Sequence, residues 1–256
     1  MHAAVLGRIK TDGTVDSSSQ AVLQNVYYGV ATIWNGTDFC KDPQLQQQTF
    51  DDIFDHIIEY LKSDVAINAL RNTTNGESEI AKIAIGLVQI LHNLSYYHEP
   101  SIPVMREKGM IPVARNVRKE TDHAQVKTDC LLIIAFLMNE SDDKTMMKIT
   151  DEELTYLLNH LRNILGPFKT SGYHAEEIID GLNRIAVNDS NKLKLMEFGI
   201  LPILEKSLDT DNSHTAVHQT AAAKAVWNLA FSDQSRQEIK KHTKLMKGNT
   251  IMLICR

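Results

Sequence analysis

Apolar positions recur at three- and four-residue spacing through most of the chain, a period that predicts α-helices rather than strands. In residues 79–95, Ala81, Ala84, Ile85, Val88 and Leu91 mark one face, and Ile83, Leu87, Ile90 and Leu94 mark another. A helix apolar on two sides belongs between layers, because a helix lying on a surface keeps one polar face. Residues 124–139 have the same character through Val126, Cys130, Leu131, Ile133, Ile134, Phe136 and Leu137. Segments 174–187 and 215–231 complete a set of four, the last built on Ala221-Ala-Ala and Ala225-Val-Trp-Asn-Leu-Ala.

These four segments end in similar phrases: Leu91-His-Asn-Leu-Ser, Ile134-Ala-Phe-Leu-Met, Leu182-Asn-Arg-Ile-Ala and Val226-Trp-Asn-Leu-Ala. With Leu94, Leu137, Ile185 and Leu229 taken as equivalent, the intervals are 43, 48 and 44 residues. The long interval holds Gly166-Pro-Phe-Lys-Thr-Ser-Gly172, which reads as an inserted loop. A helical period in the low forties is the mark of an α-solenoid. A second signal keeps the same phase. Lys108-Gly-Met-Ile-Pro112 and Phe198-Gly-Ile-Leu-Pro202 lie 90 residues apart, where a glycine can end one helix in a left-handed cap and a proline can start the next. Thr150-Asp151-Glu-Glu replaces this turn in the middle repeat with a capping sequence. Pro100, Asn188-Asp-Ser and Ser232-Asp233 mark the starts of short first helices.

Each unit therefore reads as a short helix, a turn, a second helix and a long doubly buried third helix. This pattern resembles the armadillo repeat family, with HEAT repeats as the close alternative that lacks the separate first helix. The residues that carry the resemblance are Asn93-Leu-Ser and Asn228-Leu-Ala at third-helix ends, with Gly109…Pro112 and Gly199…Pro202 between first and second helices. It covers residues 77–246 and implies an all-α fold, a right-handed superhelix of about four to five three-helix repeats. Residues 1–76 are expected to form a divergent N-terminal repeat or cap. In that stretch, Ser17 to Ile33 resembles a third helix, and Phe50 to Leu61 is amphipathic. Residues 247–256 form a tail, whose Asn249-Thr-Ile-Met-Leu-Ile254 suits either a last packed helix or the first strand of a further domain.

Composition supports the helical reading. Only 12 glycines and 6 prolines in 256 residues is sparse against average usage of roughly 7% and 5%, and a turn-rich β-sandwich or barrel needs more of both. A formal charge of −5 disfavours nucleic acid and anionic membrane as partners. Cys40, Cys130 and Cys255 are too scattered for a disulfide framework or a zinc site. The N-terminus lacks a signal-peptide core, and the longest apolar run, Cys130 to Met138, is under half a membrane span. The protein is expected in the cytoplasm, with the nucleus also open to it.

No phosphate loop, nucleophile elbow or zincin motif occurs, so no catalytic residue, cofactor or metal is expected. His214 and His218 are spaced i, i+4 without a third ligand and read as solvent-facing, while His92 and His160 read as helix-surface or partly buried. Asp51-Asp52, Asp142-Asp143 and Glu152-Glu153 suit helix starts, and Cys130 suits a core thiol. The family resemblance implies a concave groove lined by third helices, in which Asn93 and Asn228 would hydrogen-bond the backbone of an extended peptide. Phe136 and Arg184 stand at the matching places of the other two repeats. Gln89 and Lys224 stand where peptide-binding importin-like members carry tryptophan, which argues against recognition of basic localisation peptides. Arg115, Arg118 and Lys119 form one basic cluster. Arg236, Lys240, Lys241, Lys244 and Lys247 form a second at helical spacing; both read as solvated faces, with an acidic protein as the simplest partner.

The function expected from these features is a non-catalytic protein-interaction scaffold or adaptor that takes a segment of a partner protein along the groove. A second expectation is a regulatory armadillo-type region of a longer signalling protein, such as one fused to a TIR-type NAD hydrolase. A third is self-association through the terminal repeats.

Overall fold

The computed structural model describes residues 17–37, 47–73, 78–166, 173–208 and 216–242, and among these every regular element is helical. The chain divides into two compact units, one ending at Glu140 and one beginning at Ser141.

The first unit contains α1 (Ser17–Thr37), α2 (Gln47–Lys62), α3 (Asp64–Arg71), α4 (Glu79–Tyr97), α5 (Ser101–Glu107), α6 (Met110–Glu120) and α7 (Ala124–Leu137). Helix α4 packs against α1 and against α7, which is why its apolar residues run around two faces. Helices α5, α6 and α7 contact one another. Between α5 and α6, Gly109 has φ 77°, the left-handed conformation in which a side chain would be strained. Pro112 lies in the first turn of α6, where its missing N–H costs no helical bond. Arg106 donates to the Leu137 carbonyl and caps the end of α7. The 63–71 segment forms a helix that the sequence does not announce: Ser63 Oγ accepts from Ala66 N–H at 3.3 Å and caps α3, which buries its own Ala66, Ile67 and Leu70. Asp51 and Asp52 fall inside α2, which begins at Gln47, and so do not mark a helix start as expected.

Helices α1 and α4 approach closely at Gly86, where an added Cβ would lie 2.6 Å from Val30 Cγ1. Gly86→Ala gains about 1 kcal/mol of helix propensity and loses about 1–3 kcal/mol to overpacking, so a net loss is expected. Combining it with Val30→Ala should leave the double variant at least about 1 kcal/mol more stable than the two single losses add up to. Thermal or urea unfolding of the four chains measures this, and simple additivity would refute the close contact.

The second unit contains a 3-10 turn (Lys144–Met147), α8 (Asp151–Ile164), α9 (Ala175–Ile185), α10 (Asp189–Glu197), α11 (Ile200–Leu208), α12 (Ala216–Leu229) and α13 (Asp233–Lys241). Helix α12 packs on α9 and α11. Gly199 repeats the left-handed turn with φ 77°, and Pro202 opens α11 as Pro112 opens α6. The capping box at the start of α8 is formed: Thr150 Oγ1 accepts from Glu153 N–H at 3.2 Å, and Glu153 Oε2 accepts from Thr150 N–H at 2.8 Å.

The group that begins at Lys144 has no α-helical first member, only the 3-10 turn. The segment after that turn is held instead by Asn191 of α10, which is fully buried. Its Nδ2 donates to the Met147 carbonyl at 2.7 Å and the Ile185 carbonyl at 3.0 Å, and its Oδ1 accepts from Ile149 N–H at 3.1 Å. Asn188 Nδ2 adds a bond to the Lys144 carbonyl at 3.2 Å. Residues 167–172 of the inserted loop, Cys40, Cys255 and residues 247–256 lie outside the described residues.

Candidate binding surface

The residues expected to line a groove fall in both units. Gln89 and Asn93 lie on α4 of the first, and Arg184, Lys224 and Asn228 lie on α9 and α12 of the second. Gln89 and Asn93 are buried. The Asn93 amide donates to Thr37 Oγ1 at 3.3 Å and the Trp34 carbonyl at 3.4 Å, closing the last turn of α1. Asn228 makes the same kind of bond in the second unit: its Nδ2 donates to the Asn183 carbonyl at 3.1 Å and to Asn183 Oδ1 at 2.8 Å. Both asparagines thus spend their donors on a helix packed beside their own, Asn93 of α4 on α1 and Asn228 of α12 on α9. Sequence alone shows the same residue at the same phase twice but not which way its amide turns.

Phe136, at the matching place on α7, is also buried and packs against Tyr96 at 5.0 Å and His92 at 6.0 Å between ring centres. His92 is itself buried rather than at a helix surface, because α4 is covered on both sides. Its Nδ1 lies 3.8 Å from Asp129 Oδ1 on α7, and burial lowers its pKa to about 3. His160 is partly buried among Tyr156 and Tyr173, and burial lowers its pKa too. His218 is paired rather than solvent-facing: its Nε2 lies 2.6 Å from Glu176 Oε2, across the N-terminal ends of α12 and α9. His214 lies outside the described residues. Cys130 is buried within α7. Among the described residues no three His, Cys, Asp or Glu side chains are grouped to hold a metal, and no helix is long and apolar enough to cross a membrane.

The basic residues of α13 are largely answered by acids of the same helix. Arg236 pairs with Asp233, and Lys241 Nζ lies 2.6 Å from Glu238 Oε1; Lys240 is exposed, and Lys244 lies outside the described residues. Such i, i+3 pairs on an exposed face contribute only about 0.2–0.5 kcal/mol each and are the signature of a solvated surface.

Compared with known proteins, the chain matches no family model and no curated relative. What its surface can do follows from the chemistry it presents. Along the outer face of α12 and just beyond it, Val217 is 59% exposed, Trp227 47% and Phe231 63%, with the exposed Lys224 between them. Trp227 and Phe231 meet edge to face at 5.9 Å. At the end of α9, Val187 is 49% exposed and Arg184 is exposed. Single exposed apolar residues are ordinary; here two large aromatic side chains, one near the end of α12 and one just beyond it, are exposed in contact with each other. The sequence reading named Lys224, Asn228 and Arg184 here and missed Trp227 and Phe231. Their signal was available: 217, 224 and 227 share a helix face opposite Ala222, Ala225 and Val226, which pack inward, and Phe231 follows just past the helix end.

Proposed function

We propose that the chain is an armadillo-like right-handed α-solenoid that serves as a non-catalytic protein-interaction scaffold. The observation that carries this reading is the exposed aromatic face of α12, flanked by Lys224 and Arg184 and standing on a third helix. Repeated architecture supports it. Left-handed glycines with a following proline recur at Gly109 and Gly199, and third helices lie side by side within each unit, α1 on α4 on α7 and α9 on α12. Stacked helices present a surface that needs little ordering on binding, so contact energy is not consumed by conformational entropy.

The test is affinity capture from lysate with the wild-type chain and a Trp227→Ala/Phe231→Ala variant in parallel. Both side chains are exposed, so the variant should unfold with the wild type to within about 0.5 kcal/mol. Partners held by wild type and lost by the variant are the expected result. An unchanged set of partners would refute this surface as the binding face.

A further inference from the structure

Independently of what the chain binds, we infer that Asn35 is a site of self-modification by attack of the Gly36 nitrogen, and that Asn93 holds this reaction back. Asn-Gly is the dipeptide most prone to it, because glycine has no Cβ to shield its nitrogen. The Gly36 main-chain nitrogen bonds to Cγ of the Asn35 side chain, the amide C–N bond there breaks, and ammonia leaves with the proton that the Gly36 nitrogen gives up. Water then opens the five-membered succinimide at one of its two carbonyls. Opening at one gives an aspartate at position 35. Opening at the other gives an isoaspartate, which has an additional methylene in the main chain.

Asn35 and Gly36 are both exposed in the last turn of α1, and a Cβ on Gly36 would meet nothing within 4 Å. Solvent and space for the ring are therefore at hand. What opposes the reaction is conformation. Helical backbone directs the Gly36 nitrogen along the axis, and ring closure needs the main chain at Asn35 turned out of the helical range. Helix ends fray easily, but this one is clamped on either side of the dipeptide. Asn93 Nδ2 of α4 reaches the Trp34 carbonyl at 3.4 Å and Thr37 Oγ1 at 3.3 Å, and the Thr37 hydroxyl donates to the Trp34 carbonyl at 2.8 Å. Thr37 and Asn93 are both buried. The reactive pair thus sits between two anchored neighbours. Reaction loosens the clamp in turn. The isoaspartate methylene shifts Thr37 along the chain, and either product puts a carboxylate near the C-terminal end of a helix with no charged residue of its own, where the dipole disfavours it.

The full chain is incubated at neutral pH, and peptide mass spectrometry follows conversion at Asn35. Asn75-Gly76, the chain's other Asn-Gly pair, is the reference in the same spectra. Wild type in urea should convert at Asn35 at least about ten-fold faster than in buffer. Asn93→Ala and Thr37→Val each remove the clamp, and each should speed conversion in buffer by about five- to ten-fold. Thr121→Val loses a buried bond to the Leu70 carbonyl, 3.1 Å long, elsewhere in the first unit, and should stay within about two-fold of wild type. Gly36→Ala should slow the reaction at least about ten-fold in every background. Circular dichroism shows which variants remain folded, and Thr37→Val, close to wild type in shape, keeps the test open if Asn93→Ala does not fold.

Conversion at the wild-type rate in the folded clamp variants would overturn the inference. An equal acceleration by Thr121→Val would do the same, by showing that the whole unit and not the end of α1 has to open. Equal rates with and without urea, or an Asn35 that stays intact in urea while Asn75 converts, would also overturn it.

Discussion

Asn191→Ala should destabilise the second unit by about 3–5 kcal/mol. The side chain is fully buried and makes three bonds to main-chain groups at 2.7, 3.0 and 3.1 Å. Truncation leaves the Met147 carbonyl and the Ile149 N–H without these bonds in a place water does not reach, each at a cost of about 1–3 kcal/mol, while the Ile185 carbonyl loses one bond but keeps the Asn188 N–H at 3.2 Å. Asn191→Asp sharpens the test, because it preserves shape and removes the donor. A carboxylate can still accept from Ile149 N–H but faces the Met147 and Ile185 carbonyls with no hydrogen to offer. The Asp variant should be as unstable as the Ala variant at neutral pH, and should recover part of the loss in acid as its carboxyl gains a proton. Urea unfolding followed by circular dichroism and Trp227 fluorescence, in a Trp34→Phe background, reads this unit directly. A loss below about 1 kcal/mol for Asn191→Ala would show that the turn at 144–149 is held by other means.

The first unit should lose stability as pH falls from about 6.5 towards 3, because of His92. Burial holds the folded imidazole neutral down to about pH 3, whereas in the unfolded chain it takes a proton near pH 6.5. In that window the unfolded state binds the additional proton, so acid pulls the equilibrium towards unfolding. The stabilising contribution is complete above pH 6.5 and drains away by up to about 1.4 kcal/mol per pH unit below it. Asp129, 3.8 Å away and also buried, rewards protonation of the ring and opposes this trend; desolvation outweighs it. Carboxylates elsewhere titrate in the lower half of the same range, so the measurement is a comparison with His92→Gln. Free energies of unfolding for the two chains between pH 4 and pH 7.5 should converge as pH falls. Parallel curves would mean that His92 takes its proton in the folded state as readily as in the unfolded one.

Much of the fold was legible because it depends on local chemistry. A glycine followed three residues later by a proline predicts a left-handed break, and Gly109 and Gly199 both adopt it. Thr150 and Glu153 predict a capping box, and both of its bonds form. Apolar residues on two faces of 79–95 predict a helix with neighbours on both sides, as α4 has. That same pattern left almost no surface for His92, so its burial could have been inferred from the residues around it. Asn191 was hidden for a different reason. A polar residue inside a short helix looks solvated, and its task is set by a backbone segment more than 40 residues earlier that lacks its own helix. The asparagines at 93 and 228 were found by phase, yet the direction of each amide depends on how closely the preceding helix approaches. The aromatic pair at the end of α12 was harder to see, because Trp227 stands inside the apolar phrase Ala225-Val-Trp-Asn-Leu-Ala and Phe231 falls just past it.

The spans of the bonds between helix groups also bear on how the chain acquires its structure. Within the second unit, Asn191 reaches back 42 residues to Ile149, and Asn228 reaches back 45 to Asn183. Within the first, Thr121 reaches back 51 to Leu70, and Asn93 reaches back 59 to Trp34. Each of these four bonds joins a segment to one synthesised some forty to sixty residues earlier in the same unit. Loop closure over such distances costs nearly the same each time, since the entropy grows only with the logarithm of length. Helices can therefore join one after another within each unit, without waiting for a segment from the far end of the chain.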